Sequence, residues 1–456
     1  MQRIRFLKQR GIYNEILYVF RLLWPICFLF VIYISKLDYK RAIKTIAISV
    51  FIISSIIVLT NIFKLSYIAY ADGKQIIVDN VFSWFKGVFK KYNYTKLTSK
   101  GLFTGANEIG AVLLLTMPVV LYNASKKKIS IFDVGILLQI VAMIMIGSRT
   151  ASLGWMVVYI LTLIIYVVMQ IIRKHKINII FLVKCVIVGS FGIFLLLNSP
   201  IVKRYEYFAR YENTYNENMQ NIPSLKIQYA KRIINGENLI LEYAEKIENG
   251  KFKLNVKTDS KAFEDAFNNS NTAKLRALII EDYIASTYEE HYISDEYIKN
   301  IYPYTDDPEF WLEVIEMPFK IKADNRELGQ LIAKRMKQLN NNIILDTMLG
   351  TSYSTLKSRD VFLERDFISH YYTLGIFGML LFILPYVIIL LMEIIAIIKN
   401  YQNKLWVHNL VMCASLLTAI LIGFWGGHLF DEYIASFYVA LIAALLLKNI
   451  VYIKKK

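Results

Sequence analysis

Long apolar runs alternate with short basic connectors along most of the chain. A run of about 20 apolar residues is long enough to cross the roughly 30 Å hydrocarbon core of a bilayer. Such runs lie near 16–35, 43–63, 107–123, 131–147, 150–172, 177–199, 370–396, 406–427 and 430–449. The pattern therefore predicts an all-α polytopic membrane protein with about nine transmembrane helices.

One long polar segment, residues 200–366, interrupts this pattern. It is rich in Asn, Tyr and Glu and long enough to form a small domain. Its clearest helix runs from Asn325 to Leu339 and follows the capping-box pattern that begins at Asp324. We therefore expect three parts: transmembrane helices in 1–199, a mainly helical loop domain in 200–366, and further transmembrane helices in 367–456.

The basic connectors predict the topology, because Lys and Arg in short loops favour the cytoplasmic side. The basic connectors are Lys36–Lys44, Ser125–Lys128, Arg173–Lys176, Lys399–Lys404 and Lys454–Lys456. With these inside, the segments predicted outside are 64–106, 147–150, 200–366 and 426–432. The basic N-terminus also falls outside, against the rule. Either the first run does not span, or the chain begins partway through a longer protein and lacks earlier helices.

Composition and charge support a membrane protein. The chain is 56% hydrophobic and 20% charged, with a mean hydropathy of +0.41 and a net charge of +17. Segment 200–366 holds about 23 basic and 27 acidic residues, so the excess lies in the connectors and is a topology signal. We therefore expect no nucleic-acid partner. Cys27, Cys185 and Cys413 all lie in apolar runs, which excludes a disulfide framework or a cysteine metal site.

Polar residues from several loops are expected together at the external face. They are Asn107, Glu108, Ser148, Arg149, Glu364, Asp366, His370, His428, Asp431 and Glu432. The charges inside predicted spans, Asp133, Lys184 and Glu393, lie near cytoplasmic ends, which disfavours a coupled transporter. The polar loop residues therefore predict a functional site at the outer leaflet of the membrane.

Arginines are the candidate phosphate ligands. The short turn around Arg149 holds its guanidinium near the membrane, where it either clamps a phosphate bidentately or extends to lipid headgroups. Arg335 falls inside the apolar face of the 325–339 helix and needs an anionic partner, either a ligand or a carboxylate such as Glu364. Arg326 lies opposite that face. We assign Arg149, Arg335 and Arg326 to a diphosphate.

Carboxylates and histidines are the candidate bases. Asp366 and His370 are four residues apart on one helix face, suited either to a base with its orienting partner or to a solvated helix start. His428 is either a base, a phosphate donor or an interfacial histidine. Together with Glu364 these are the predicted catalytic residues. The chain has no P-loop, HExxH or CxxC pattern, and we expect no metal and no cofactor.

Three stretches resemble the O-antigen ligase-like family. They are Gly101-Leu102-Phe103-Thr104-Gly105-Ala106-Asn107-Glu108-Ile109-Gly110, the turn Ser148-Arg149-Thr150-Ala151, and the segment from Arg326 to Gly378 that closes the large loop. The loop ends in Gly375-Ile376-Phe377-Gly378, as family members do. Many members carry a His-Asn pair about eleven residues before that glycine, where this chain has Glu364 and Arg365. The departure suggests a polymerase-like branch.

The resemblance implies a glycosyltransferase in the bacterial plasma membrane. Its donor would be a polyprenyl-pyrophosphate-linked glycan and its acceptor a glycan or a lipid, joined at the outer leaflet without a metal. The arginines would stabilise the leaving diphosphate, and Glu364, Asp366 or His428 would accept the proton of the acceptor hydroxyl. The alternatives are a lipid-linked glycan transporter (flippase) and a non-enzymatic membrane sensor. A flippase should have charges throughout the membrane depth, and a sensor should have a cytoplasmic output domain.

Overall fold

The computed structural model is helical, and it folds as two compact units. The residues that it describes are 12–71, 73–172, 174, 177–219, 280–281, 283–340, 343–351, 353–357, 361, 363–399, 406–427 and 429–454. The larger unit, here the bundle unit, comprises Gly11–Glu206, Ile344–Tyr353 and Glu364–Lys456. The smaller, here the loop unit, comprises Tyr207–Ile343 and Ser354–Leu363 together with Met1–Arg10, which lie outside the described residues.

The helices of the bundle unit include one at each of the nine predicted apolar runs. They are α1 Ile12–Ile34, α2 Tyr39–Ile62, α3 Ala106–Ser125, α4 Ile131–Ile146, α5 Arg149–Ile172, α6 Ile179–Leu197 and the first part of α7 Pro200–Met219. Later in the chain come α11 Ile343–Leu349, α13 Asp366–Lys399, α14 Trp406–Trp425 and α15 Tyr433–Lys454, whereas α12 Tyr353–Lys357 belongs mostly to the loop unit. By length and composition, six described helices are able to cross a membrane, and three apolar ones are shorter. The chain is therefore a multi-pass membrane protein.

Local sequence signals determine where several of these helices begin. Ser130 caps α4 in a reciprocal capping box with Asp133. The Asp38 and Asn178 side chains accept hydrogen bonds from the first turns of α2 and α6. At the other end of α4, Gly147 adopts a φ of 70°, the left-handed conformation that glycine supplies at helix ends. The next helix, α5, starts only two residues later.

The centre of the bundle unit is α3, which packs against α2, α4, α5 and α14. Nearly all of its side chains are buried, including the apolar ones on every side. A helix that is apolar all round needs neighbours all round, and α3 has them. Its first turn, which carries Glu108, is thereby held in a fixed place.

The loop unit is built from shorter helices. They are the remainder of α7, the π-helical turn Glu296–Ile301, α8 Pro308–Glu316, α9 Phe319–Lys322 and α10 Asn325–Leu339. The predicted 325–339 helix is confirmed, with Asp324 accepting a hydrogen bond from the Arg326 amide. Buried Lys322 donates to the hydroxyl of Tyr215 and to the Ile315 carbonyl at 2.7 Å. Burial lowers the pKa of Lys322 to about 8.

Candidate active site

Arg149 is the first residue of α5 and lies in a tightly packed turn. The Ser148 hydroxyl accepts a hydrogen bond from the Ala151 amide at 3.0 Å. A Cβ added at Gly147 would lie 2.7 Å from the Thr98 methyl group, so the turn has no room for a side chain there. The Ser99 amide also donates to the Met145 carbonyl at 2.8 Å. The exposed Arg149 side chain therefore projects from a rigid helix start, where the helix dipole favours anions.

The charges of two arginines, Arg149 and Arg204, act on one half-buried tyrosine, Tyr94. Tyr94 belongs to a short 3-10 turn, Tyr94–Leu97, and burial raises the pKa of its phenol. The charges of Arg204 and Arg149 both act on that phenol and lower its pKa in part. Two guanidinium groups, from α5 and α7, thus lie within electrostatic range of one ring. The sequence pattern does not single out Arg204, because this arginine stands in a polar helix where a basic residue is common.

Asp366 holds a loop in place with its side chain. The carboxylate is 1% exposed, and its Oδ2 accepts hydrogen bonds from the amides of Leu429 at 3.0 Å and Phe430 at 3.1 Å. Bonds from amides to an ionised carboxylate are among the stronger hydrogen bonds in proteins. Asp366 therefore fixes the chain between α14 and α15 against the start of α13.

The same loop approaches two other segments closely. A Cβ added at Gly427, where φ is 70°, would overlap the backbone carbonyl of Glu364. At Gly426 a Cβ would lie 2.6 Å from the Thr150 hydroxyl oxygen. The structure thereby brings together the turn at Arg149, the segment from Glu364 to Asp366 and the 426–430 loop, which are far apart in sequence.

An acidic group lies on the far side of this loop. Glu108 Oε1 accepts a hydrogen bond from the Ile434 amide at 2.7 Å, and Asp431 pairs with Arg21 of α1 at 3.3 Å. Glu432 lies between α14 and α15. Burial raises its pKa to about 7, with the charges of Asp431 and Glu108 adding to the effect and Arg21 opposing it. Glu432 consequently exchanges a proton near neutral pH.

His370 contacts Asp366 through the backbone and not through the carboxylate. Its Nδ1 lies 2.6 Å from the Asp366 carbonyl oxygen, which only accepts, so Nδ1 carries the proton. The predicted pairing of the two side chains is corrected, because the Asp366 carboxylate is turned to the Leu429 and Phe430 amides. His370 is fully buried, and its Nε2 has no hydrogen-bond partner in the structure.

Two other predicted residues, Arg335 and Arg326, are on α10 of the loop unit. Arg335 belongs to the loop unit, where it makes two bonds to the Asp307 carboxylate at 2.6 and 3.0 Å. Its carboxylate partner is thus Asp307 and not Glu364. Arg326 lies in the first turn of the same helix, α10. His428 lies outside the described residues, and its predicted role stays a prediction.

No arrangement typical of a metal centre is found in the described part of the chain. No group of three or more His, Cys, Asp or Glu side chains there is placed to hold a metal ion. The acidic side chains at this end of the bundle unit have other partners: Asp366 binds backbone amides, Glu108 binds the Ile434 amide, and Asp431 binds Arg21.

These features define a multi-pass helical membrane protein with arginines and carboxylates gathered where its loops meet. The chain belongs to a family described as O-antigen ligase like membrane protein, which matches residues 5–456 and confirms the predicted resemblance. Membership indicates a membrane enzyme that acts on lipid-linked glycans in polysaccharide biosynthesis. No curated protein and no solved structure matched the chain.

Proposed function

We propose that this protein transfers a glycan from a polyprenyl-pyrophosphate carrier to an acceptor hydroxyl at the outer leaflet. In this reaction the acceptor oxygen loses its proton and bonds to the anomeric carbon of the donor sugar. The bond from that carbon to the diphosphate breaks, and the diphosphate leaves with the electron pair. The reaction therefore needs fixed cations for the leaving group and a base for the proton.

The proposal is carried by Arg149 at the rigid start of α5, together with the charge of Arg204, which acts on the same Tyr94 phenol. A diphosphate gains negative charge as the bond breaks, and a guanidinium binds phosphate oxygens bidentately. Arg149 stands at the N-terminus of α5, where the helix dipole also favours an anion. Arg204 supplies a second charge from another helix. Together these groups suit a diphosphate better than a single phosphate or a carboxylate.

Glu432 is the base that the structure favours. A catalytic base works best when its pKa lies near the working pH, and burial beside Asp431 and Glu108 raises the pKa of Glu432 to about 7. Asp366 suits this role less, because its carboxylate accepts bonds from the Leu429 and Phe430 amides. Its part is to position the loop. Glu364, whose backbone contacts Gly427, and His428 remain alternative bases.

The ion pair between Arg335 and Asp307 supports a structural role for Arg335 within the loop unit. A contact of Arg335 or Arg326 with the donor remains a second possibility for binding the glycan part of the substrate. Replacing Arg335 by Lys separates these roles, since a structural loss lowers thermal stability whereas a binding loss raises KM at unchanged stability.

The test is transfer by the purified protein with a lipid-linked oligosaccharide and an acceptor, analysed on a gel. A ladder of products indicates a polymerase, and one added unit indicates a ligase. Movement of the donor across a vesicle without a new glycosidic bond would contradict the proposal and favour a flippase.

Arginine variants test the diphosphate contact in the same assay. Arg149→Lys and Arg204→Lys keep the charge but lose the planar fork, so each should lower turnover about 10²-fold. Arg41→Lys is the matched control, because Arg41 is exposed and pairs only weakly with Asp38 at 3.5 Å. Near-normal turnover in both site variants, at normal protein levels, would leave these arginines as lipid contacts.

A further inference from the structure

The helix α11, Ile343–Leu349, has its apolar side chains outside and its acidic side chain inside. Ile344 is 79% exposed and Leu345 53%, and Met348 and Leu349 are also exposed. Asp346 is 6% exposed. A helix on a water-facing surface shows the reverse arrangement, with its apolar residues against the protein. The exposed face of α11 is therefore built for an apolar surrounding.

The end of α11 is packed against a break in α13. Gly375 interrupts that helix with a φ of 68° and a ψ of −169°. A Cβ added at Gly375 would overlap the Met348 carbonyl group, and one added at Gly350 would overlap the Thr373 carbonyl group. The Thr351 amide donates to the Tyr372 carbonyl at 2.7 Å. The two backbones thus touch, and α11 is held at the level of the break.

The chain beyond α11 is fixed as well. The Tyr353 ring stacks on Tyr18 of α1 with ring centroids 4.1 Å apart. Tyr18 is in turn hydrogen-bonded to Thr373. The C-terminal side of α11 is therefore attached to α1 and α13 of the same unit by backbone and ring contacts.

The break in α13 lies where the apolar part of that helix begins. From Ile376 to Ile398 the sequence is apolar apart from Glu393, and 23 residues of helix cover about 34 Å, the thickness of a hydrocarbon core. The part of α13 before the break, Asp366–Leu374, is more polar. By this pattern, the hydrocarbon core is expected to begin near Gly375.

We propose that α11 lies in the plane of this boundary with Ile344, Leu345, Met348 and Leu349 in the acyl chains of the bilayer. The exposed side chains of α13 just past the break, Phe377 at 59% and Leu381 at 62%, already face lipid in a membrane-spanning helix. The backbone of α11 lies directly beside the start of this lipid-facing part, because the Met348 carbonyl group is against Gly375. Interfacial helices with a large apolar face bind bilayers in this way.

The position of α11 gives it a bearing on the candidate site. It is attached to the half of α13 that carries Asp366 and His370, so the membrane surface supports that half-helix through α11. The proposal itself requires only that α13 spans the membrane, and it stands whether or not the protein transfers glycans.

The test uses full-length protein without native cysteines (Cys27→Ser, Cys185→Ala, Cys413→Ala), reconstituted in phosphatidylcholine vesicles. A nitroxide is attached to Leu345→Cys, and its collisions with oxygen, which enters lipid, and with a nickel chelate, which stays in water, are measured. Leu381→Cys is the lipid reference and exposed Lys127→Cys the water reference. Thr347→Cys, half-buried on the same helix, is the matched control.

The expected result is an oxygen-to-nickel collision ratio at Leu345 comparable to that at Leu381 and about tenfold above that at Lys127. A ratio like that of Lys127 would overturn the proposal. Low collision rates with both reagents would also overturn it, because another part of the chain or a second copy then covers the helix. If the Leu345 variant does not fold, Ile344→Cys serves as the second labelling site under the same criteria.

Discussion

At the residue scale, Glu432 shows how position alone makes an ordinary side chain suited to proton transfer. Its ordinary pKa of 4.5 is raised to about 7 by burial and by the neighbouring Asp431 and Glu108. Because the folded protein favours the protonated form, this stabilising contribution is full below about pH 4.5 and is lost as pH rises through about 7. With Glu432 as the proposed base, stability and turnover should change over the same pH range.

We predict that activity rises with pH through about 7, since a base must be ionised, while the Tm falls over the same range. Glu432→Gln should lower turnover about 10²-fold and reduce the pH dependence of the Tm. Turnover assays and thermal unfolding from pH 5 to 8 measure both. Glu364→Gln is the comparison variant. If Glu364→Gln is inactive while Glu432→Gln is active, the base is Glu364 and not Glu432.

Asp366 is the contrasting carboxylate, because its bonds go to the backbone. We predict that Asp366→Asn keeps the fold and most of the activity, since the amide oxygen still accepts from the Leu429 and Phe430 amides. Asp366→Ala leaves both amides without that acceptor and should cost about 1–3 kcal/mol of unfolding free energy, with a larger loss of turnover. The measurements are the unfolding midpoints and the turnover rates of Asp366→Asn and Asp366→Ala. Equal inactivity at unchanged stability would instead indicate a catalytic role for Asp366.

At the scale of elements, the loop between α14 and α15 depends on a close approach of two backbones. Gly427 has a φ of 70° and no space for a Cβ beside the Glu364 carbonyl. Gly73 has nearly the same φ, 71°, but open space around it. A side chain at either glycine would strain the backbone, because both have a positive φ. Only at Gly427 would the side chain also collide with another backbone segment, the Glu364 carbonyl.

We therefore predict that Gly427→Ala lowers turnover at least about tenfold. Gly73→Ala should leave turnover nearly unchanged and lower the free energy of unfolding by only about 1 kcal/mol. Turnover and Tm of both variants are the measurement. If the two alanine variants behave alike, the close contact between the loop and Glu364 does not contribute to the site.

At the scale of the whole molecule, the basic connectors predict which side of the membrane each loop faces. We predict that Lys334→Cys, exposed in α10 of the loop unit, reacts in intact cells with a membrane-impermeant maleimide. Lys127→Cys, in a connector predicted to be cytoplasmic, should react only after the membrane is permeabilised. Both variants carry the cysteine-free background. Protection of Lys334→Cys in intact cells would contradict the external position of the loop unit.

The sequence alone predicts where the apolar helices lie and which family the chain belongs to. Each of the nine apolar runs corresponds to a helix in the structure, and the 325–339 helix has the predicted bounds and begins after its predicted cap, Asp324. The family was recognised from short motifs around Arg149 and Gly375 and is confirmed over nearly the whole chain. These features are local, since hydrophobic length, helix caps and motifs lie within a few dozen residues and need no knowledge of distant contacts.

Only the tertiary structure decided which polar residues act together. The charges of Arg149 and Arg204, which come from different helices, both act on Tyr94. Asp366 faces the Leu429 amide and not the His370 side chain, because the loop between α14 and α15 folds onto it. Likewise, the pKa of Glu432 is raised by burial and by Glu108, a residue more than 300 positions earlier. Electrostatic fields and hydrogen bonds depend on distance in space, and the spacing of these residues along the chain does not contain that distance.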